Sequence, residues 1–245
     1  MTLDDLWNTP APSRGRFEPE RLASLPGPAR RYLRSAIAPR TPLAYAVRLR
    51  MHGQIKLRGW APFEAEQVIH AERGMIWAAT ARLRGLPIRG SDRILDGEGS
   101  MRWRLLGLVP VLSAAGPDVT RAAAGRLQAE FVWLPSFFLR PDVSWTADDE
   151  AHATATLSVA GHRASVTLAL DEAGRPVTVS LARWGNPEGG AFRAIPFGAI
   201  AEAHRTFGGY SIPSRLRVGW QFSGDRFESE GEFFRCTIDE AEYRA

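Results

Sequence analysis

The sequence is poor in the residues on which several classes of protein depend. It has one cysteine, Cys236, so no internal disulfide can form and cysteine content gives no support for secretion. It has one lysine, Lys56, and neither a G-x4-G-K-[ST] nor a complete G-x-G-x-x-G segment, which leaves nucleotide cofactors unsupported. The five histidines show no H-x-H or H-E-x-x-H spacing. We therefore expect no cofactor and no metal site.

Long apolar runs and known catalytic motifs are also lacking. The most apolar run, LLGLVPVLSAAG at 105–116, is far shorter than the roughly 20 residues that span a bilayer, and it contains Pro110. The opening stretch MTLDDLWNTPAPSRGR has neither the basic nor the apolar region of an export signal, so a cytoplasmic location is expected. No G-x-S-x-G nucleophile motif occurs. No segment of the sequence therefore identifies a particular reaction.

Charge is nearly balanced, and its positive part is carried almost entirely by arginine. The 31 basic and 27 acidic residues give a net charge of +4. Arginines alternate with apolar residues, as in Val47-Arg48-Leu49-Arg50, which is typical of the solvated face of a strand rather than of a phosphate-binding stripe. We therefore expect no nucleic-acid partner.

Apolar residues recur with a period of two through most of the chain. The alternation begins at 43–51 and returns at 153–159 and 164–170, and glycines separate further short apolar segments. This spacing is typical of an antiparallel meander with one buried face. We predict about ten strands. No linker divides them, so 17–245 is expected to form a single β-rich domain after an irregular segment at 1–16.

Helical patterns interrupt the strands at two places. Pro19 and Pro28 are each expected to open a short N-terminal helix, the second over 28–37. In the middle of the chain Leu127, Phe131, Leu134 and Phe138 recur at helical spacing, which predicts a helical insert. Asp118 is its expected N-cap, and Pro135 should break it.

Together these patterns predict a mainly β fold with α-helices, of the α+β class. A twisted antiparallel sheet of about ten strands tends to curl, and its apolar side must be covered. We therefore expect a curved sheet or half-barrel, with N-terminal helices and with the helical insert covering the concave face.

Four charged residues are candidates for a site. Arg126 and Glu130 are four residues apart, so on a helix they share a face beside Trp133. The pair is consistent with an ordinary structural ion pair. It is also consistent with a buried pair in which Glu130 acts as a base or holds a polar ligand group, and Arg126 keeps it ionised. Asp92 and Arg183 are isolated charges within apolar segments, equally consistent with function and structure.

Tryptophan is abundant, with eight residues in the chain. Large aromatic rings usually fill cores, but they also line pockets for flat or apolar ligands. Six of these rings are too many for one small interior. We therefore predict that Trp60, Trp77, Trp103 and Trp133 line a cavity.

Several segments resemble the signature of an uncharacterised bacterial family. They are LPGPARRYL at 25–33, WAPFEAEQ at 60–67, RLQAEFVWLPSFFL at 126–139 and GGYSIPS at 208–214. In that family an LP-x-P-V-x-RYL helix opens the domain and an R-x3-E-x2-W-x-P segment lies at its middle; Ala29 here replaces the usual valine. The resemblance covers nearly the whole chain from about residue 17 and implies no activity.

The strand pattern is also similar to the curved half-barrel of bacterial lipoprotein carriers. In that fold the concave face holds acyl chains, and the fold also serves a cofactor-free biosynthetic enzyme. This likeness is one of fold and not of sites.

Three hypotheses about function follow. The first is binding of an apolar or amphipathic small molecule in the concave face, and its ligand-binding residues would be Trp60, Gln67, Trp77, Trp103, Arg126, Glu130, Trp133 and Arg183. The second is a cofactor-independent enzyme in which Glu130 or Asp92 moves a proton and Arg126 stabilises negative charge. The third is a structural or partner-binding domain with a filled interior.

Overall fold

The fold is built on one large antiparallel sheet. A computed structural model describes residues 1–57 and 59–245. The strands within these ranges are β1 (Ala46–Lys56), β2 (Trp60–His70), β3 (Gly74–Leu83), β4 (Leu86–Leu95), β5 (Glu98–Leu105), β6 (Val109–Ala115), β7 (Ser144–Thr146), β8 (His152–Val159), β9 (His162–Leu170), β10 (Pro176–Gly185), β11 (Arg193–Phe207), β12 (Tyr210–Trp220) and β13 (Glu232–Arg244). Their order is β6-β5-β4-β3-β2-β1-β13-β12-β11-β10-β9-β8-β7, so the sheet is open.

Two meanders meet in the middle of this sheet. Strands β1 to β6 pair successively on one side, and β7 to β13 do so on the other. Strand β1 pairs with β13, so that Ala46 lies opposite Arg244 and Ile55 opposite Phe234. The two halves of the sequence are therefore joined by one central ladder of backbone hydrogen bonds.

The sheet curves around a central helix, α3 (Pro117–Glu130). This helix contacts β4, β5 and β6 on one side and β8, β9 and β10 on the other. In a flat sheet β5 and β10 would lie eight strand spacings apart, or about 38 Å, whereas a helix is only about 10 Å wide. The sheet must therefore bend into a half-barrel, with the helix against its concave face.

The alternation predicted from the sequence is confirmed in the burial of the strands. In β1, Val47, Leu49 and Met51 are buried, while Arg48 and Arg50 point to the convex side. Concave-facing residues of both halves join the helix in one apolar core. Burial of these side chains supplies the main driving force for the fold.

The described residues form thirteen strands, which corrects the prediction of about ten. The sequence shows β6 only as an apolar run, because its residues are exposed on both faces and give no alternation. Strand β7 has three residues, too few for a pattern. Strand β13 begins only at Glu232, since Phe227–Gly231 before it forms a turn of π-helix.

The N-terminal region is more regular than predicted. Helix α1 (Leu3–Trp7) lies within the segment that was expected to be irregular. Thr2 and Asp5 form a capping box at its start, and Leu6 and Trp7 are buried in a small cluster on the convex face. A helix of five residues is too short for an apolar period to show in the sequence.

The two helices predicted near Pro19 and Pro28 are present. The first is a single 3-10 turn, Pro19–Leu22. The second is α2 (Gly27–Ala36), close to the predicted span, and its Tyr32 and Leu33 are buried in the core.

The central insert differs from its prediction at both ends. Helix α3 is capped by Gly116 rather than by Asp118, because Pro117 already occupies its first turn; the Asp118 carboxylate instead accepts a hydrogen bond from Trp184 Nε1 at 2.8 Å. The helix ends at Glu130, and two 3-10 turns follow, Phe131–Trp133 and Pro135–Leu139. The expected break at Pro135 is confirmed.

One buried carboxylate makes the stability of the sheet depend on pH. Glu232 is 2% exposed and accepts hydrogen bonds from Arg217 and Arg235. Burial alone would raise the pKa of Glu232, but the hydrogen bonds and charges of the two arginines outweigh it and lower that pKa to about 2. Because the folded pKa lies below the ordinary 4.5, this stabilisation is present above pH 4.5 and is lost as the pH falls towards 2.

We therefore expect Glu232→Gln to lower the free energy of unfolding by about 2–3 kcal/mol at neutral pH and to flatten its decline in acid. Urea titrations of both proteins at neutral and acid pH measure this. The prediction is contradicted if the free energy of unfolding falls with pH in parallel for the two proteins.

Candidate functional site

The Arg126–Glu130 pair lies between α3 and the sheet and includes a third charged residue. Arg126 Nε donates to Glu130 Oε1 at 2.7 Å, and Arg126 Nη1 donates to Asp92 Oδ2 at 2.9 Å. The side chains of Arg126, Asp92 and Glu130 are 16%, 16% and 13% exposed. The arrangement is therefore a mostly buried charged trio and not a surface ion pair.

Neighbouring strands complete this group. Gln67 lies opposite Trp77 and Trp77 opposite Asp92, so these three concave-facing side chains stand in a row across β2, β3 and β4. Gln67 Nε2 donates to Glu130 Oε2 at 2.7 Å, and Trp103 Nε1 donates to Asp92 Oδ1 at 2.8 Å. The Arg126 guanidinium lies 4.9 Å from the centre of the Trp77 ring. We call Gln67, Trp77, Asp92, Trp103, Arg126 and Glu130 the Arg126 cluster.

A glycine makes room for the Trp103 ring. Gly90 lies opposite Trp103 in the ladder between β4 and β5, and a Cβ atom at Gly90 would overlap the indole. The glycine therefore lets the ring lie flat over β4, where its N–H reaches Asp92.

Two buried polar atoms of the cluster have no hydrogen-bond partner among the described residues. They are the Gln67 side-chain oxygen and Trp77 Nε1, on side chains that are 0% and 2% exposed.

Arg183 lies on the other side of α3. Its Nε donates to the Ala122 carbonyl at 3.1 Å, and its guanidinium lies 4.5 Å and 4.9 Å from the ring centres of Phe197 and Trp220. Gly125 of the helix packs against its aliphatic stem. Burial, aided by the nearby positive charge of Arg126, lowers the pKa of Arg183 to about 9.

Electrostatics keep the Arg126 guanidinium charged. Burial opposes the charge on Arg126, but Glu130 and Asp92 outweigh it and raise the Arg126 pKa. Burial, followed by the negative charge of Glu130, raises the pKa of the Cys236 thiol. Cys236 is therefore a protonated core residue and not a nucleophile.

The hydrogen bonds fix the two carboxylates between α3 and the sheet. Each oxygen of Glu130 and each oxygen of Asp92 already accepts a hydrogen bond within the cluster. The arrangement ties α3 to β2, β4 and β5, and we call it the clamp.

Besides Arg183, two further predicted site residues lie away from this cluster. Trp60 is 36% exposed at the start of β2, where the Arg235 guanidinium lies 4.4 Å from its ring centre. Trp133 is buried in the core, and its Nε1 donates to the Pro213 carbonyl at 3.0 Å. Strand alternation explains the first position, because Trp60 and Gln67 fall on opposite faces of β2.

The described part of the chain contains a cavity that the sequence analysis did not predict. This basal cavity has a volume of about 710 Å³ and lies beside the start of β1. Its apolar lining residues are Phe17, Leu22, Leu25, Leu43, Phe138, Leu139, Pro141, Val143 and Trp145. Its charged and polar lining residues are Arg14, Arg16, Glu18, Arg21, Ser136, Arg140 and Asp142.

The basal cavity is assembled from distant parts of the sequence. The segment at 14–25 forms one wall, Leu43 adds to it, and residues 136–145 form the opposite wall. No local period brings these segments together. The only signal in the sequence was the number of arginines that precede α2.

A second groove, of about 690 Å³, lies on the convex face. Its lining is largely charged or small and includes Arg50, His52, Glu66, Arg89 and Asp239. The charged residues of the Arg126 cluster line neither this groove nor the basal cavity.

Within residues 1–57 and 59–245, no group of three or more His, Cys, Asp and Glu side chains is placed to hold a metal ion. Helices in the same ranges are all too short or too polar to reach across a bilayer.

The fold and the cavity define a class of protein, an open antiparallel half-barrel whose concave face is covered by a helical insert and which has an apolar cavity at one end. The chain belongs to DUF6544, a family of unknown function whose model matches residues 15–229. No curated protein matches the sequence.

Two solved structures are similar to the chain. One is a LolA superfamily protein from Nitrosomonas europaea, with 9% sequence identity, a TM-score of 0.47, and coverage of 89% of this chain and 92% of that one. The other is described as an outer membrane lipoprotein-sorting protein domain from Vibrio parahaemolyticus, with 9% identity, a TM-score of 0.42, and coverage of 82% and 86%.

Proposed function

We propose that this protein binds an amphipathic small molecule with an anionic head in the basal cavity. The observation that supports this most directly is the combination of an apolar wall and an arginine-rich rim around about 710 Å³. Ligand pockets are commonly apolar concavities of about 300–1,000 Å³ with a few polar groups that orient the ligand. The proposal keeps the class of ligand expected from the sequence and moves its site to one end of the half-barrel.

The rim supports an anionic head. Four arginines line the cavity against two acidic residues, Glu18 and Asp142. Arg16 is the best placed, because its Nη1 donates to the Arg40 carbonyl at 2.8 Å and it forms no ion pair with a described carboxylate. A guanidinium in this state can bind a carboxylate or phosphate with two parallel hydrogen bonds.

The apolar wall supports a hydrocarbon tail. Phe17, Leu22 and Phe138 are each 2% exposed or less and form the buried floor. Leu25, Leu43 and Leu139 are partly buried and pack against the core from the cavity side. A tail lying on these side chains removes apolar surface from water, at about 25 cal/mol per Å².

Binding of a fluorescent long-chain carboxylate tests the proposal, with the corresponding neutral alcohol as the second probe. Leu25→Trp fills the cavity and should weaken binding of the carboxylate at least about tenfold, whereas Val177→Trp adds the same ring at an exposed position of β10 and should not. Arg16→Gln should weaken the carboxylate by about 10–100-fold and leave the alcohol unchanged. Equal affinities in the two tryptophan variants would exclude the basal cavity as the site.

A further inference from the structure

Two hairpin turns at one end of the sheet carry exposed apolar side chains. The turn between β5 and β6 includes Leu106 and Leu108, which are 52% and 77% exposed, and the turn between β3 and β4 ends at Leu86, which is 50% exposed. The Leu106 N–H donates to the Pro87 carbonyl at 2.8 Å, so the two turns are held side by side. We call Leu86, Leu106, Leu108, Val109, Val111 and Leu112 the apolar tip.

Strand β6 is uncovered on both of its faces at this tip. Successive residues of a strand point to opposite faces, yet Val111 and Leu112 are 50% and 44% exposed. The hairpin therefore projects beyond the body of the fold. A soluble protein rarely exposes a contiguous apolar patch of this kind unless the patch binds something.

Unpaired arginines surround the apolar tip. Residues 81–91 and 99–117 contain five arginines and no aspartate or glutamate. These arginines are Arg82, Arg84, Arg89, Arg102 and Arg104, and all are exposed. None forms an ion pair with a described carboxylate. Most other arginines of the fold do.

Two of the arginines are placed against each other. Arg89 lies directly opposite Arg104 in the ladder between β4 and β5, and Arg102 follows on the same face two residues away. Like charges directly opposite on neighbouring strands are destabilising. The convex face beside the tip thus concentrates positive charge that a bound anionic surface would neutralise.

The spacing of charge and apolar tip fits a lipid headgroup layer. Arg104 is two residues from Leu106 and Arg89 is three residues from Leu86, which at about 3.4 Å per residue is about 7–10 Å along the strands. Apolar side chains of interfacial elements enter the headgroup layer by about 5–10 Å. Insertion of the leucines would therefore bring these arginines to the level of the lipid phosphates.

We propose that the apolar tip and its five arginines bind the surface of an anionic lipid bilayer. The observations favour a bilayer over nucleic acid, because the exposed side chains of the tip are aliphatic and offer no ring on which a base could stack. They favour it over edge pairing with a second copy, because Pro110 removes a backbone N–H from the edge strand β6 and a bulge interrupts its register near Arg104. The surface lies at the opposite strand ends from the basal cavity and does not depend on it.

Co-sedimentation with vesicles tests this proposal in the full chain. The vesicles contain phosphatidylcholine alone or with added phosphatidylglycerol. We expect binding only to the anionic vesicles. The triple change Arg89→Gln, Arg102→Gln and Arg104→Gln should weaken it about 100-fold, at about a tenfold loss per 1.4 kcal/mol and about 1 kcal/mol for each arginine at an anionic surface. Leu106→Ser with Leu108→Ser should weaken it at least about tenfold.

A matched control removes three exposed arginines elsewhere, by Arg34→Gln, Arg40→Gln and Arg163→Gln, and should bind within about twofold of the parent protein. Absence of binding to anionic vesicles overturns the proposal. Full binding by the Leu106/Leu108 variant would also overturn the proposal, because charge alone would then account for the binding. Binding of a DNA duplex that depends on the three arginines, without binding of vesicles, would assign the surface to nucleic acid instead.

Discussion

The Arg126→Ala protein is expected to unfold with a free energy about 3–5 kcal/mol lower than that of the parent protein. The substitution leaves the Asp92 and Glu130 carboxylates mostly buried without their shared positive partner. It also removes the contact between the guanidinium and the Trp77 ring. A buried charge that loses its partner retains its desolvation penalty, which is why the loss exceeds the worth of an ordinary ion pair.

Chemical denaturation followed by circular dichroism measures this effect. Arg215→Ala is the matched control, because Arg215 and Glu202 form an ion pair at 2.9 Å with side chains that are 58% and 35% exposed. That variant should lose less than about 1 kcal/mol. The loss of stability in Arg126→Lys should lie between those of Arg126→Ala and Arg215→Ala. An ammonium keeps the positive charge but lacks the forked guanidinium that reaches both carboxylates. A loss below about 1 kcal/mol for Arg126→Ala would exclude the clamp.

Phe131→Ala is expected to lower the free energy of unfolding by a similar amount, about 3–5 kcal/mol. Phe131 is 1% exposed and begins the 3-10 turn after α3, and its ring is stacked on Phe137 with centroids 3.5 Å apart. Both rings belong to the apolar core between the insert and the sheet. Removing one leaves a cavity that the closely packed neighbours cannot fill completely.

Thermal and urea unfolding of Phe131→Ala should be compared with those of Leu108→Ala, which also truncates a large apolar side chain. Leu108 is 77% exposed, so its truncation should change the free energy of unfolding by no more than about 0.5 kcal/mol. Equal effects at the two positions would mean that the insert is not packed against the sheet as described.

The sheet could be predicted from the sequence because burial of one face imposes a period of two. Leu49 and Arg48 illustrate this, since one is fully buried and the other points to the convex side. Strand β6 could not be predicted in this way, because both of its faces are exposed. Helix α1 is set by a local capping box and by packing on the convex face, and neither produces a period in five residues.

The candidate site was predictable only in part. Helical spacing places Arg126 and Glu130 on one face, and the structure adds Asp92 and Gln67, which no spacing in the sequence links to that pair. Their meeting depends on the register of β2, β3 and β4, which no local pattern specifies. Trp60 and Trp133 show the limit of composition, because the number of tryptophans says nothing about the face each one occupies.

The pairing of β1 with β13 has a consequence for biosynthesis. The ladder at the centre of the sheet joins residues 46–55 to residues 234–244, so it cannot form until nearly two hundred further residues have left the ribosome. Until then β1 is an unpaired edge, and contacts so distant in sequence also slow folding. The fold can therefore close only after β13 has emerged.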